Sequence, residues 1–339
     1  MKVGLTGVRI AALTAALPEQ RLPLVDLAAD FGALEVKRII QSTGIETVRV
    51  AGSLRTGDLC AAAARHLLSC SDTRAADIDG IVVVTQTPDD LMPGVAVQLQ
   101  QRLGLSSECV AFDINYGCSG YVYGLYQAAM LIRSGGCRRV LLCTGDVTTS
   151  LLDPADRQVR MVFGDAASAT LLEAGEDHID LLIRSEGSGR DHLYTPWVSR
   201  RHQGVSRQAG FLHMNGTAIM NFALNSVPPA INELVHHCGL ALEDMSMLAL
   251  HQANGFMLNY LRKLLGVERD KVPINVREVG NTGPSSIALL LASLPAGSWP
   301  EREHILLCGF GVGLSLGVAR VDLRGTRIFE PVEVPQAAA

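Results

Sequence analysis

The chain has 339 residues, 48% hydrophobic and 19% charged, with 33 glycines and a formal net charge of −5. That length and composition suit one large α/β unit or two fused halves, not a tail or linker protein. No long Lys/Arg block supplies a nucleic-acid footprint, and no apolar run reaches the ~18 residues of a membrane span.

Residues 1–18 are apolar enough to raise the question of a secretory leader. Gly4, Gly7 and Arg9 interrupt them, and a charged n-region and continuous h-region are missing, so none is expected. Eight cysteines are scattered without a CxxC pair or a His/Cys cluster. Neither a metal nor a disulfide framework is expected, and a reducing cytoplasm fits.

Short apolar runs bounded by Gly, Asp or Asn predict buried strands at 80–87, 110–114, 139–144, 161–163, 166–172, 247–251 and 304–308. Helical patterns lie between them, at 122–134, 221–236 and 287–294. This alternation predicts a parallel sheet with crossover helices. Residues 78–89 echo 244–254, and 138–146 echo 302–311, which predicts a duplicated half. The expected organisation is an N-terminal half over 1–175, a connecting surface excursion over 176–213, a C-terminal half over 214–329 and a frayed tail over 330–339.

Cys118 lies in DINYGCSGYVYGLY (113–126), where a strand gives way to a helix and glycines flank the thiol at 117 and 120. A nucleophile on such a corner is exposed to substrate, and glycines permit the sharp backbone. The helix N-terminus is expected to lower the thiol's pKa and to offer N–H groups to an oxyanion. Most free cysteines are inert packing; no other cysteine here has this setting.

His251 ends a predicted strand in LALHQAN (248–254), and Asn281 sits in GNTGPSS (280–286) before an apolar helix. Strand-to-helix loops are where α/β folds gather ligands. An imidazole and an amide together can hold a thioester carbonyl as it becomes an enolate. A Cys…His…Asn order also describes papain-like proteases. Here, however, the cysteine is mid-chain in Gly117-Cys118-Ser119-Gly120, not in that family's local signature.

These stretches resemble the β-ketoacyl-acyl-carrier-protein synthase III family of the thiolase superfamily, from about residue 4 to 323. The resemblance rests on STGI (42–45), TPDDLMP (87–93), DINYGCSGY (113–121), DPADR (153–157), FGDA (163–166), MNG (214–216), HQAN (251–254), GNT (280–282) and GFGVG (309–313). It implies a thiolase fold: two duplicated βαβαβ-type halves in five αβαβα layers, assembled as a homodimer with a buried active-site tunnel. Cys118 would be acylated by acyl-CoA or a carrier-bound acyl group. His251 and Asn281 would bind a malonyl-type thioester on carrier protein or CoA and promote its decarboxylation, with no cofactor. Backbone N–H groups of Cys118, Gly311, Val312 and Gly313 would form the oxyanion hole.

The resemblance also implies substrate contacts for Met92, which would reach across a dimer interface, and for Arg157, Ala223, Asn254 and Phe310. Five positions depart from the family pattern, one of them Val312 in the loop near the C-terminus that is all glycine in the family. The Arg and Trp that help hold the CoA or pantetheine arm are replaced by Ser42 and Arg38. An Arg associated with carrier docking is Phe256, and an aromatic after MNG is Met220. Arg262 and Lys263 remain to meet an acidic carrier protein. The expected reaction is a decarboxylative Claisen condensation giving a 3-oxoacyl product in fatty-acid or specialised-metabolite synthesis. Transfer of the acyl group to an alcohol or amine, and a non-catalytic partner subunit, are the alternatives. The retained Asn281 weighs against the first, the complete Cys/His/Asn set against the second.

Overall fold

Strands here are apolar on both faces because each face of the sheet is covered by helices. The computed structural model describes residues 1–198, 208–295 and 302–336. In chain order the elements used below are β1 (Lys2–Pro18), α1 (Ala33–Thr43), α2 (Thr56–Cys70), β2 (Gly80–Val84), α3 (Val95–Arg102), β3 (Val110–Ile114) and α4 (Gly120–Arg133). They continue with β4 (Arg139–Asp146), α5 (Arg157–Arg160), β5 (Ala166–Ser185), α6 (Gly216–His237), β6 (Met247–Leu250) and α7 (Gly255–Leu265). The last are α8 (Ser286–Ser293), β7 (Ile305–Gly311), β8 (Ser315–Val321) and β9 (Val332–Val334).

Among the described residues the main sheet has ten strands and is mixed, not parallel. β3, β2 and β4 run parallel, as do β6 and β7. β4 and β8 both pair antiparallel with β5, at opposite ends of that 20-residue strand. β1 follows β5 antiparallel along almost its whole length, with register shifts between Thr6 and Val8 and between Ile10 and Ala12. The echoing sequence stretches thus hold equivalent places: β2 beside β4 and β6 beside β7, each pair leading into an antiparallel neighbour.

Alternation along the strands divides the core into three. Val82, Val84, Val140 and Leu142 face a central cluster that also takes Met247, Ala249, Ile305 and Leu307 from the other half. Ile81, Val83, Leu141 and Cys143 face α2 and α3. Leu248, Leu250, Leu306 and Cys308 face α6 and α7. The central layer is α4 and α8. Helix α8 is buried over nearly its whole circumference, as a helix between two sheet faces must be. Leu289, Leu290 and Leu291 are at most 1% exposed; burial of each contributes about 1.5–3 kcal/mol over exposure. The order of layers is therefore helix, sheet, helix, sheet, helix.

Several expectations are corrected. Residues 161–163 form a turn after α5, with Phe163 making a single parallel bridge to Asn281. The boundary expected at 175/176 falls inside β5, so no surface excursion starts there. Of the segment expected to be one, 199–207 lie outside the described residues. The tail is not frayed through 334: β9 pairs parallel with β1, and Gln336 binds Ser53 and the Ala51 carbonyl. Residues 337–339 lie outside the described residues. The apolar start of the chain is the long strand β1.

Candidate active site

The two central helices both begin at one end of the sheet, and their N-termini meet there. A Cβ on Gly120, the first residue of α4, would be 3.4 Å from Pro284, just before α8. Cys118 sits on the turn into α4 and is 8% exposed. Its glycines serve close approach, not unusual torsions, since neither Gly117 nor Gly120 has positive φ. A Cβ at 117 would be 2.6 Å from Val312 Cγ1, and one at 120 would be 2.5 Å from Val84 Cγ1.

The end of β7 closes over the thiol. Gly311 has φ +153°, and a Cβ there would lie 2.7 Å from Cys118 Cβ and 2.9 Å from Sγ. Only glycine satisfies both the torsion and the space. Ser119 donates to Ser315 Oγ at 2.6 Å, and Ser315 donates to the Val312 carbonyl at 2.6 Å, tying the cysteine turn to the 311–313 loop. Burial pushes the Cys118 thiol up to about 11, opposed by the N–H groups of Val312 and Cys118 itself and reinforced by Asp146. Burial therefore outweighs the helix terminus in the free enzyme, contrary to the expected lowering.

His251 follows β6 and is 1% exposed. Its N–H donates to the Cys308 carbonyl at 2.7 Å, and its ring meets Phe310 edge-on, centroids 5.5 Å apart. Nδ1 is 2.7 Å from Ser286 Oγ, which also accepts from the Gln252 N–H. Burial lowers the His251 pKa to about 3, so the imidazole is neutral at physiological pH.

Asn281 is 5% exposed. Its N–H donates to the Val162 carbonyl at 2.8 Å, and its carbonyl accepts from Gly164 at 3.0 Å. Asn281 Oδ1 accepts from the Gly283 N–H at 3.0 Å, which fixes the amide plane. Gly280 has φ +73°, and a Cβ there would meet the Val162 carbonyl at 2.8 Å.

Asp146, at the end of β4, is the acid the sequence reading missed. It is 4% exposed, and its Oδ1 accepts from Thr85 Oγ1 at 3.0 Å, the Gln86 N–H at 2.7 Å and Thr87 Oγ1 at 3.3 Å. A Cβ at Gly283 would touch its other oxygen at 3.1 Å. Burial lifts it to about 7, against those hydrogen bonds. Ser286 was missed as well. A buried carboxylate at a strand end and a serine opening an apolar helix give no local signal of their role.

The other expected residues divide into two groups. Phe310 (1% exposed) and Ala223 (0%) are buried within the C-terminal core, and Met220 packs at its edge. Asn254 caps α7, accepting from the Met257 N–H at 2.9 Å, so its oxygen has a structural task. Arg262 donates to the Val267 carbonyl at the end of its own helix, while Lys263 is exposed. Met92 is 77% exposed and Phe256 56% exposed, both on the surface of the chain. Arg38 and Arg157 stand apart from the buried trio, around Glu35. Among the described residues no cluster of His, Cys, Asp or Glu could hold a metal ion.

Comparison with known proteins places this architecture. A solved 3-oxoacyl-(acyl-carrier protein) synthase from Burkholderia xenovorans superposes with TM-score 0.92 at 32% identity, covering 98% of this chain and 99% of that one. The priming β-ketosynthase of the R1128 polyketide pathway superposes at 0.84 with 28% identity, covering 94% and 96%. The fold and the site define a thiolase-fold condensing enzyme, an acyltransferase that makes 3-oxoacyl products. Models of 3-oxoacyl-[acyl-carrier-protein] synthase III and of its C-terminal part match residues 112–187 and 235–323. The β-ketoacyl-[acyl-carrier-protein] synthase III of Lactococcus lactis is 35% identical, covering 84% of this chain and 90% of its own. That of Thermosynechococcus vestitus is 34% identical, covering 92% and 97%. The chain belongs to the 3-oxoacyl-[acyl-carrier-protein] synthase III family.

Proposed function

We propose that the chain carries out a decarboxylative Claisen condensation in two half-reactions at Cys118. In the first, Cys118 Sγ attacks an acyl thioester. The donor's C–S bond breaks, its thiol leaves with the cysteine proton, and an acyl-cysteine remains. The N–H groups of Cys118 and Val312 already oppose the burial penalty on the thiol. The same pair is suited to the oxyanion of acyl transfer, with the backbone of Gly311 and Gly313 shaping the loop.

In the second half-reaction a malonyl-type thioester sets its carbonyl oxygen against His251 and Asn281. The bond to its carboxylate breaks and CO₂ leaves, and the electron pair becomes an enolate held by two neutral donors. The enolate carbon attacks the acyl carbon, the C–S bond to Cys118 breaks, and the thiolate takes up a proton. The observation that carries this reading is the way the two donors are held. Ser286 Oγ, which receives the Gln252 N–H, lies 2.7 Å from His251 Nδ1; in the tautomer this reading requires, the hydroxyl donates to Nδ1 and the ring proton is on Nε2. Gly283 holds Asn281 Oδ1, which frees the amide NH₂. An alcohol or amine acceptor would leave the Asn281 NH₂ without a task.

A carrier protein fits as partner, with exposed Lys263 as a cationic contact. A second copy fits beside edge strand β3, where Leu91 (68%), Met92 and Val110 (43%) leave apolar surface exposed. The eight cysteines are all free, which favours the cytoplasm; no helix among the described residues is long and apolar enough to cross a membrane.

Mass spectrometry after incubation with acyl thioesters is expected to find the acyl mass on Cys118, and Cys118→Ala to abolish it. With malonyl-thioester present, Asn281→Ala is expected to suppress CO₂ release while acylation continues. An acyl mass elsewhere would remove Cys118 as nucleophile. Acylation without CO₂ from any malonyl-thioester would move the enzyme to the alcohol or amine acceptor.

A further inference from the structure

After β8 the chain turns back and lies along the edge of β1 that β5 leaves open. Arg327 and Ile328 pair parallel with Ala12 and Leu13, and β9 pairs parallel with residues 16–18. Thr326 Oγ1 donates to the Ile10 carbonyl at 2.6 Å, and Thr14 Oγ1 donates to the Glu330 carbonyl at 3.0 Å. Phe329, Val332 and Val334 pack against the cluster that α2 and α3 share with the sheet. Backbone pairing, side-chain hydrogen bonds and apolar contact together fix this tail in place.

Its end grips residues 49–53. Glu333 Oε1 accepts from Arg49 NH2 at 2.7 Å and from Arg21 NH2 at 2.8 Å. Gln336 Nε2 donates to the Ala51 carbonyl at 2.7 Å, and Gln336 Oε1 accepts from the Ser53 N–H at 3.0 Å and from Ser53 Oγ at 2.9 Å. The Arg49 side chain is only 5% exposed. Its NH1 donates to the Pro18 carbonyl at 2.8 Å, and its Nε is buried with no partner among the described residues. A buried guanidinium needs a counter-charge, and among the described residues Glu333 is the carboxylate that pairs with it. Arg49 in turn holds the Glu333 carboxyl below the usual carboxylate range.

The same segment carries the loop of Asn281. A Cβ on Gly280 would meet Val48 Cγ1 at 2.8 Å, and one on Gly164 would meet the Arg49 nitrogen at 3.2 Å. The Arg49 carbonyl accepts the Asp165 N–H at 3.0 Å, and Asp165 Oδ2 accepts the Ala51 N–H at 2.8 Å. Gly164, next to Asp165, donates to the Asn281 carbonyl. Residues 48–51 therefore touch both the tail and the backbone that fixes Asn281. The turn of Cys118 has other supports, in Gly311, Val312 and the Ser119–Ser315 hydrogen bond.

We propose that the tail is a positioning device for the second half-reaction: Glu333, acting through Arg49, sets the place of Asn281 and leaves the loading of Cys118 alone. Arg49 and Glu333 are then positioning residues that act through the Asn281 loop. This inference rests on Asn281 acting in decarboxylation.

The test follows both half-reactions in each variant. It measures the rate at which an acyl mass appears on Cys118, and kcat and KM for CO₂ release from a malonyl-thioester. Glu333→Ala leaves the Arg49 charge buried without its partner. It is expected to lower kcat for CO₂ release about tenfold, as a small displacement of a positioned donor does, with loading within about twofold of wild type. Glu333→Gln still offers an acceptor to NH2 and is expected to bring kcat back to within about twofold of wild type. Gln336→Ala loosens the same segment without uncovering a charge, and is expected to lower kcat about threefold with loading unchanged. It decides the matter should Glu333→Ala fail to fold. Wild-type kcat in Glu333→Ala or Gln336→Ala overturns the proposal. So does a loss shared equally by loading and decarboxylation, which would make the tail a support for the whole fold. A wild type that loads Cys118 but releases no CO₂ from any malonyl-thioester fails earlier, at the role proposed for Asn281.

Discussion

The reaction chamber and the surface around Arg157 and Arg38 are held by different physics. Inside, His251, Asn281 and Cys118 are 1%, 5% and 8% exposed; glycine backbone closes on Cys118 and beside Asn281, and Ser286 and the Phe310 ring hold His251. Outside, the side chains of Arg157 and Arg38 are 55% and 75% exposed and are held by ion pairs of 3.6 and 3.8 Å to one carboxylate. Exposed pairs of that kind contribute about 0–1 kcal/mol. Close-packed backbone tolerates almost no substitution, whereas a weakly held surface accepts many. That difference explains how the chemistry of the family is kept here while the positions expected to hold the donor have changed.

The largest expected effect strikes the packed region. In Gly311→Ala the new methyl would overlap Cys118 Cβ and Sγ on a backbone with φ +153°. Loading of Cys118 is expected to fall at least about a hundredfold, as small displacements of reacting atoms do. Overpacking of this kind costs about 1–3 kcal/mol, to be read in a denaturant melt. Loading at the wild-type rate would show that the 311–313 loop is soft, and the contrast between the two regions would collapse.

A smaller and more selective loss is expected one contact further out. Ser286→Ala leaves the ring of His251 in place against Phe310 but removes the partner of Nδ1. CO₂ release is expected to drop about tenfold, the equivalent of a lost hydrogen bond of a kcal/mol or more. Acylation of Cys118 is expected to continue, and Ser286→Thr to restore decarboxylation. Equal losses in both half-reactions would mean that Ser286 supports α8 and not the imidazole.

The contrast also separates what the sequence shows from what it conceals. Gly117, Gly120, Gly280 and Gly311 are forced by space or torsion, so they mark Cys118, Asn281 and the closing loop in the bare sequence. Ser286 lies 35 positions from His251, and Asp146 lies 61 from Thr85, so only the fold brings them together. The misread stretches have physical causes too. Residues 173–178 are polar and partly exposed because β5 passes there from β4 to β8, and that change of neighbour reads like a loop. Met161, Val162 and Phe163 are apolar because they pack in two small clusters and beside Asn281, not because they lie in a sheet.

The smallest expected effect lies where the chamber meets its own electrostatics. Burial lifts the Asp146 carboxyl to about 7 in the folded chain, against about 4 when unfolded. The native state therefore keeps this proton where the unfolded chain has lost it, and stability declines as pH rises from about 4 through about 7. An amide oxygen at 146 can still accept from Thr85, Gln86 and Thr87, so Asp146→Asn removes the charge with little change of shape. The pH slope of stability should become shallower without vanishing, because burial also lifts Asp165, to about 6. Cys118 should gain as well. Asp146 is a lesser cause of its raised pKa than burial, so alkylation by iodoacetamide at mildly alkaline pH should quicken only about threefold. A slope that stays the same, or an alkylation profile that moves to higher pH, would show that Asp146 carries no charge near the thiol. The close packing around Cys118 would then be purely steric, and the pH dependence of loading would have to arise outside the chamber.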